Sequence, residues 1–417
     1  MKATIVKTFI LLGLFSGLAA AQHDARMTWD DAVREMLGSN PESLSSESLK
    51  EEYRRKISSA ESALYPQASA VGNYTRANPS SGLQESYSYG LNATYSLYSP
   101  SSRSDIRASR LSLAKTEDDA LVLKNKLLYL LRKAFSDLLW AQDSLAMADK
   151  TLKRRQDNAA LLRLKYNAGR ESHAALLETD SLVKYAEWDR EKNLMALRTA
   201  QRQLNKVLGR QLSSPVGAVE IKSARPPEEF SVFGKYIDAH PSLSGQRVLV
   251  DSAREALTRA RTGYLPTADI NANYLFSGSD WPDNAPGWNA GLNLKWSFFT
   301  GGQVKANSAA QRAAIEKAMQ DLRSSRDSVY VSAEESYYAW RQAYSYVSVQ
   351  ESMLEATRAR AWLVQTQYVS GQATYFEWRD VEGQLITNQQ QLVTARRDLA
   401  AAYSAFIQAI GLGEYPL

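Results

Sequence analysis

Hydrophobic positions recur along this chain with two different periods. Over residues 264–302 the period is two: Ala268, Ile270, Ala272, Tyr274 and Phe276 share one face, opposite Asp269, Asn271, Asn273 and Ser277. Trp288, Ala290, Leu292, Leu294, Trp296 and Phe298 then alternate with Asn289, Gly291, Asn293, Lys295 and Ser297. A pleated strand imposes this alternation, and the Gly-, Asp-, Asn- and Pro-rich link between the two runs is turn chemistry. Strands are therefore predicted over about 267–277 and 287–299. The pattern also stands some two hundred positions earlier. There Tyr87, Tyr89, Leu91, Ala93, Tyr95 and Leu97 oppose Ser88, Gly90, Asn92, Thr94 and Ser96, predicting strands over about 67–76 and 87–98 joined by Asn78-Pro79-Ser80-Ser81-Gly82.

Elsewhere the period is helical. Thr28 with Asp31 three residues on reads as a helix cap, and the short helix it opens stops by Gly38, before Asn40-Pro41. A second helix is predicted from Glu47 to Ala63, and long helices over about 103–165, 172–208, 303–367 and 374–410. The long helices carry heptad seams. Leu131, Leu138, Leu145, Leu152 and Ala159 run beside Leu127, Ala134, Ala141 and Ala148. In the second half Ala333, Trp340, Val347, Leu354 and Ala361 run beside Tyr330, Tyr337 and Tyr344, and the last helix has Leu385, Leu392, Leu399 and Phe406 beside Ala395, Ala402 and Ala409. At about 1.5 Å per residue, the longest runs approach 90 Å. Tyr166-x-x-Gly169 and Tyr368-x-x-Gly371 end them with glycine where a left-handed cap is expected, so each chain segment reverses there.

The two halves are copies. Pro41 pairs with Pro241 and Pro66 with Pro266 at an offset of 200, Tyr98 with Phe299 at 201, and Gly169 with Gly371 and Gly209 with Gly411 at 202. So steady an offset signals internal duplication. It divides the chain into a leader (1–21), a first repeat (22–208), a linker (209–229) holding Pro215, Pro226 and Pro227, and a second repeat (230–417).

Composition narrows the function. Met1 to Ala21 has a basic start, an apolar run from Phe9 to Leu18 and an Ala-Ala-Ala end, the layout of a secretory signal and too short to span a membrane. The net charge is +5; without Lys2 and Lys7 it is +3, too mild to argue for nucleic acid. There is no Cys, which excludes disulfides, thiolate metal sites and a Cys nucleophile. His23, His173 and His240 stand far apart in sequence and outside any metal-binding or acid–base spacing, and no phosphate loop or nucleophile elbow is present, so neither enzyme chemistry nor a cofactor is expected.

The four strands then pose a problem of closure. In lipid, unpaired backbone groups cost several kcal/mol each, so only a closed barrel is tolerated, and about eight strands is the practical minimum. Four strands per chain require several chains. With the Tyr65-Pro66 and Leu265-Pro266 strand entries, the Tyr-Ser-Leu-Tyr and Trp-Ser-Phe-Phe exits at Tyr95 and Trp296, and both Tyr-x-x-Gly turns, the whole chain after residue 21 resembles the TolC-like outer-membrane efflux and secretion channels of Gram-negative bacteria. The resemblance implies a mainly α fold with a small membrane β part: an α-helical coiled-coil barrel continuous with a twelve-stranded transmembrane β-barrel in a homotrimer. It implies a cell outer-membrane location, with the helices in the periplasm. The implied partners are a periplasmic adaptor (membrane fusion) protein, an inner-membrane RND, ABC or MFS transporter, and outer-membrane lipid. Tyr87, Tyr89, Tyr95, Tyr98, Trp288, Trp296, Phe298 and Phe299 would form the aromatic girdles. The competing reading is an exported periplasmic coiled-coil scaffold without channel activity.

In that family, acidic side chains six and nine positions past the second glycine ring the narrowest point, here Glu377 and Asp380. Three apart, they share a helical face. Thr374-Tyr375-Phe376-Glu377 is equally a capping box, and Asp380 is equally a solvated surface acid. The family's tip turns, here Tyr166, Gly169, Tyr368 and Gly371, are held by polar contacts. Tyr368 matches the tyrosine of that lock, but Ala174, Ala175 and Ala373 stand where its charged and hydroxyl partners would be. Either His173 or Glu178 substitutes, or packing holds the tip.

Overall fold

The computed structural model describes residues 26–78, 83–219, 224–279, 281 and 285–413. The leader and the tips of both strand links lie outside them. Helices dominate, and among the described residues none is long and apolar enough to cross a membrane.

Each half repeats one order of elements. In the first half, strand β1 (Arg26–Met27) is followed by α1 (Trp29–Ser39), α2 (Pro41–Glu61), β2 (Gln67–Ala77), β3 (Gln84–Tyr98), α3 (Pro100–Asn167) and α4 (His173–Leu208). The second has β4 (Gly217–Ala218), α5 (Gly234–Asp238), α6 (Pro241–Arg261), β5 (Thr267–Gly278), β6 (Ala285–Lys295), α7 (Gln303–Ser370) and α8 (Tyr375–Ala409). α2 and α6 each have 21 residues, and α3 and α7 each have 68, about 100 Å of helix.

Several boundaries differ from the sequence reading. α2 begins at Pro41 rather than Glu47, because Asn40 Oδ1 accepts from the amides of Glu42 (2.8 Å) and Ser43 (3.2 Å), and proline suits the first helical turn. α3 likewise begins at Pro100, capped by Ser99. β6 ends at Lys295, so Trp296, Phe298 and Phe299 stand beyond the ladder, on the segment that Gly301 and Gly302 turn into α7 through left-handed φ values of 59° and 86°. The expected linker is partly ordered: β4 pairs in parallel with β1, and α5 begins soon after it.

Two pseudo-equivalent cores sit near mid-length. One gathers Met36, Leu131, Phe135, Leu138, Leu204 and Leu208, with Val216 and Ala218 of the β4 segment. The other gathers Phe233, Ile237, Tyr337, Trp340, Tyr403 and Phe406. The heptad seams are buried at Leu131, Leu138, Ala333, Trp340, Leu354, Leu385, Leu392 and Leu399, whereas Tyr330 and Tyr344 of the second row are exposed. An amphipathic stripe facing one neighbour covers only part of a helix surface.

The strands form one antiparallel sheet in the order β2-β3-β5-β6, so the halves join at β3–β5. Register places the apolar alternates of the four strands largely on one side. Tyr74, Tyr87, Tyr89, Leu91, Tyr95, Ile270, Tyr274, Phe276, Trp288, Leu292 and Leu294 share that face, and a bulge at Ser96/Tyr98 brings Tyr98 onto it too. Gly90 admits the close approach of β5: a Cβ there would stand 2.1 Å from the Tyr274 carbonyl oxygen. The apolar face has no cover, with Trp288 77% and Leu292 67% exposed. β2 and β6 each have an unpaired edge.

Candidate functional site

The two helix reversals meet at the end of the molecule far from the sheet. In the first, Gly169 takes a φ of 69° and the Arg170 amide bonds back to the Lys165 carbonyl at 2.9 Å. In the second, Gly371 takes a φ of 81° and the Gln372 amide bonds to the Gln367 carbonyl at 2.8 Å. Both are the 6→1 closure of a glycine-terminated helix. Ser172 and Thr374 then cap α4 and α8.

Side chains cross between the turns. Tyr368 is only 1% exposed; its hydroxyl donates to Glu171 Oε1 at 2.8 Å and its ring stacks on Trp378 at 4.5 Å. Burial, reinforced by the hydrogen bond to Glu171, pushes the phenol pKa well up, so it stays a donor. Lys165 Nζ donates to the Tyr368 carbonyl at 2.6 Å and lies 3.7 Å from the centre of its ring. Thr179 Oγ1 and the Tyr375 hydroxyl are 2.9 Å apart. Arg379 bridges, donating one Nη to Glu178 and the other to Asp380 Oδ1 at 2.7 Å. Higher up, Arg154 Nη1 reaches buried Glu382 at 3.5 Å; burial lowers the pKa of adjacent Arg155, while the Glu382 charge opposes that shift. Leu162, Ala175, Tyr368, Tyr375 and Trp378 pack beneath these contacts.

The acids expected at the narrowest point have local partners. Glu377 completes the capping box: Thr374 N donates to Oε2 at 2.9 Å, and Glu377 N returns a bond to Thr374 Oγ1 at 3.2 Å. Hydrogen bonds from the Thr374 backbone and hydroxyl hold its carboxyl below the usual range, so it remains an anion. Asp380 is exposed but shares Arg379. Of the two substitutes considered for the lock, Glu178 links the halves. His173 does not; its ring packs on Tyr166 in its own turn, 5.7 Å between centroids.

Glu171, Arg379, Thr179 and Lys165 escaped the sequence reading. A usable signal existed. The cross-turn pairs are separated by 197, 201, 196 and 203 residues, close to the repeat offset, because copied turns set side by side bring near-equivalent positions together.

Residues 32–210 and 234–412 each match the family described as outer membrane efflux protein, one match in each half. The chain belongs to that family. It is similar to the outer membrane protein TolC of Vibrio cholerae, 24% identical over 307 residues that cover 70% of this chain and 69% of the relative. It is also similar to the proteases secretion protein PrtF of Dickeya chrysanthemi, 25% identical over 207 residues, 46% of this chain and 44% of that one. Among solved structures CusC superposes with a TM-score of 0.80 at 17% identity, covering 92% of each chain, which shows the fold. As an outer membrane efflux protein it is a channel-family protein and not an enzyme, located in the outer membrane with its helices in the periplasm. The crossed turns belong to this periplasmic helical part.

Proposed function

We propose that three copies of this chain close one twelve-stranded barrel and form the passive exit duct of a tripartite efflux pump or type I secretion system. A periplasmic adaptor and an inner-membrane RND, ABC or MFS transporter would feed it. The observation that carries the reading is the four-stranded sheet with two open edges and an uncovered apolar face. Open edges are not tolerated in lipid and are satisfied when β2 of one copy pairs with β6 of the next, while the apolar face is covered by lipid itself. The named relatives support export as the task, since TolC and PrtF are an outer-membrane protein and a secretion protein.

The tip is the gate in this reading. Glu377 and Asp380 would ring the axis and favour cations, while Arg379, Glu178, Glu171 and Tyr368 hold the two hairpins together. The aromatic positions divide into two belts. Tyr87, Tyr89 and Trp288 lie toward the strand links, and Tyr95, Tyr98, Trp296, Phe298 and Phe299 toward the helices, as a membrane-crossing barrel requires.

Native mass spectrometry in detergent, followed by planar-bilayer recording, tests the proposal. Three chains per particle and discrete conductance steps are expected, and the double variant Glu377→Ala, Asp380→Ala should lose cation preference. A monomer that never conducts would sink the duct. Unchanged selectivity in the double variant would return both acids to capping and surface roles.

A further inference from the structure

The polar face of the sheet is nearly free of charge. Register aligns its side chains in rows across the four strands. Ser69, Asn92, Asn273 and Asn289 form one row. Toward the helices the next row is Gln67, Thr94, Asn271 and Gly291, and toward the strand links it is Val71, Gly90, Leu275 and Gly287. Among the described residues of these strands, that face carries two charged side chains, Asp269 and Lys295, opposite in sign and both in the rows nearest the helices. Asp269 is further muted by Ser96, whose Oγ donates to its carboxylate at 2.8 Å. The two remaining strand charges, Arg76 and Glu85, lie on the apolar face, paired with each other at 3.4 Å.

Water-filled pores select ions with rings of charged side chains. An amide offers both donor and acceptor, and a hydroxyl does the same, so either can turn to a cation, an anion or a neutral solute. Once several copies close the barrel as proposed above, on which this step rests, the polar face becomes its lining. The row through Asn92, Asn273 and Asn289 becomes a belt of amides at mid-barrel. We propose that the outer-membrane section is a charge-neutral, amide-lined passage that admits hydrophilic cargo of either sign or none. Charge selection is then made in the helical part alone.

The full-length protein in a planar bilayer under a KCl gradient reads this as a cation-to-anion permeability ratio. The double variant Asp269→Asn, Lys295→Gln should keep the wild-type ratio within about 1.5-fold, since nothing in the lining then sets it. Asn273→Asp should raise the ratio about threefold or more and Asn273→Lys should lower it, because each places a charge ring in the water path. Asn289 in the same row takes the same pair of changes if the Asn273 variants fail to assemble. A shift in the neutralised variant, or no response to charges at both row positions, overturns the inference. A wild-type protein without conductance instead overturns the duct reading beneath it.

Discussion

Arg379 is the residue on which the tip turns. One guanidinium satisfies Glu178 from the first half and Asp380 beside it in α8, so its loss leaves two carboxylates facing each other. Exposed ion pairs are worth about 0.2–1 kcal/mol each, and only the Glu178 pair crosses between the turns, so Arg379→Ala should shift the closed-to-open balance by up to about fivefold per chain and not unfold the tip. Buried packing of Tyr368 on Trp378 is untouched by the change. Bilayer recordings should show a higher resting open probability and a stronger cation preference. If resting conductance stays at the wild-type level, packing and the remaining cross-turn hydrogen bonds hold the hairpins. At this scale the sequence was half legible. Glu377 was readable as a cap because the Thr-x-x-Glu spacing is local, and Tyr368 was readable from its place before Gly371. Arg379 was not, because its partner Glu178 is 201 residues away and only the folded duplication makes them neighbours.

At the scale of elements, the copied halves show one joint built with two different residues. Asn40 caps α2 with Oδ1 and sends Nδ2 to the Val207 carbonyl at 2.7 Å near the end of α4. His240 does the same for α6: Nδ1 accepts from the Ser242 amide at 3.1 Å, and the ring hydrogen-bonds the Gln408 backbone near the end of α8. Gly209 and Gly411 close the two joints from the other side. Their left-handed φ values of 76° and 75° suit glycine, and an added Cβ would meet Ser39 O at 2.2 Å or the His240 ring at 2.5 Å. Burial lowers the His240 pKa below its ordinary 6.5. The folded state therefore binds fewer protons than the unfolded chain. The joint's contribution is complete above the unfolded value and is lost as pH falls through the lowered folded value. A protonated ring also loses the Nδ1 acceptor that caps α6. Thermal melts from pH 7 to pH 5 should show Tm falling, and His240→Asn, which copies the first half, should flatten that slope while preserving Tm at pH 7. An equal slope in the variant would assign the pH dependence elsewhere. The offset of Pro41 to Pro241 made this joint legible as a repeated helix end, but not as the helix start that Asn40 and His240 also cap. The pairing of β1 with β4 was not, since two-residue strands carry no period.

For the whole molecule the deciding property is which face of the sheet meets lipid. Alternation alone predicted two faces, and the strand register joined them into one continuous apolar surface across both halves. Its limit differs at one point: β6 stops at Lys295, leaving Trp296, Phe298 and Phe299 outside the ladder. Leu292 lies midway between Trp288 and Trp296 on the apolar side, while Asn289 lies on the polar side of the same strand. Arginine at the bilayer midplane of a barrel costs about 2–4 kcal/mol, while a lining position leaves the charge in water. Leu292→Arg, incurring that cost once in every subunit, should sharply reduce the fraction of assembled particles seen by native mass spectrometry. Asn289→Arg should assemble normally and alter only conductance and ion preference. The reverse result would turn the sheet inside out. Equal tolerance at both positions would favour the scaffold reading, because only a lipid contact separates two substitutions three residues apart on one strand.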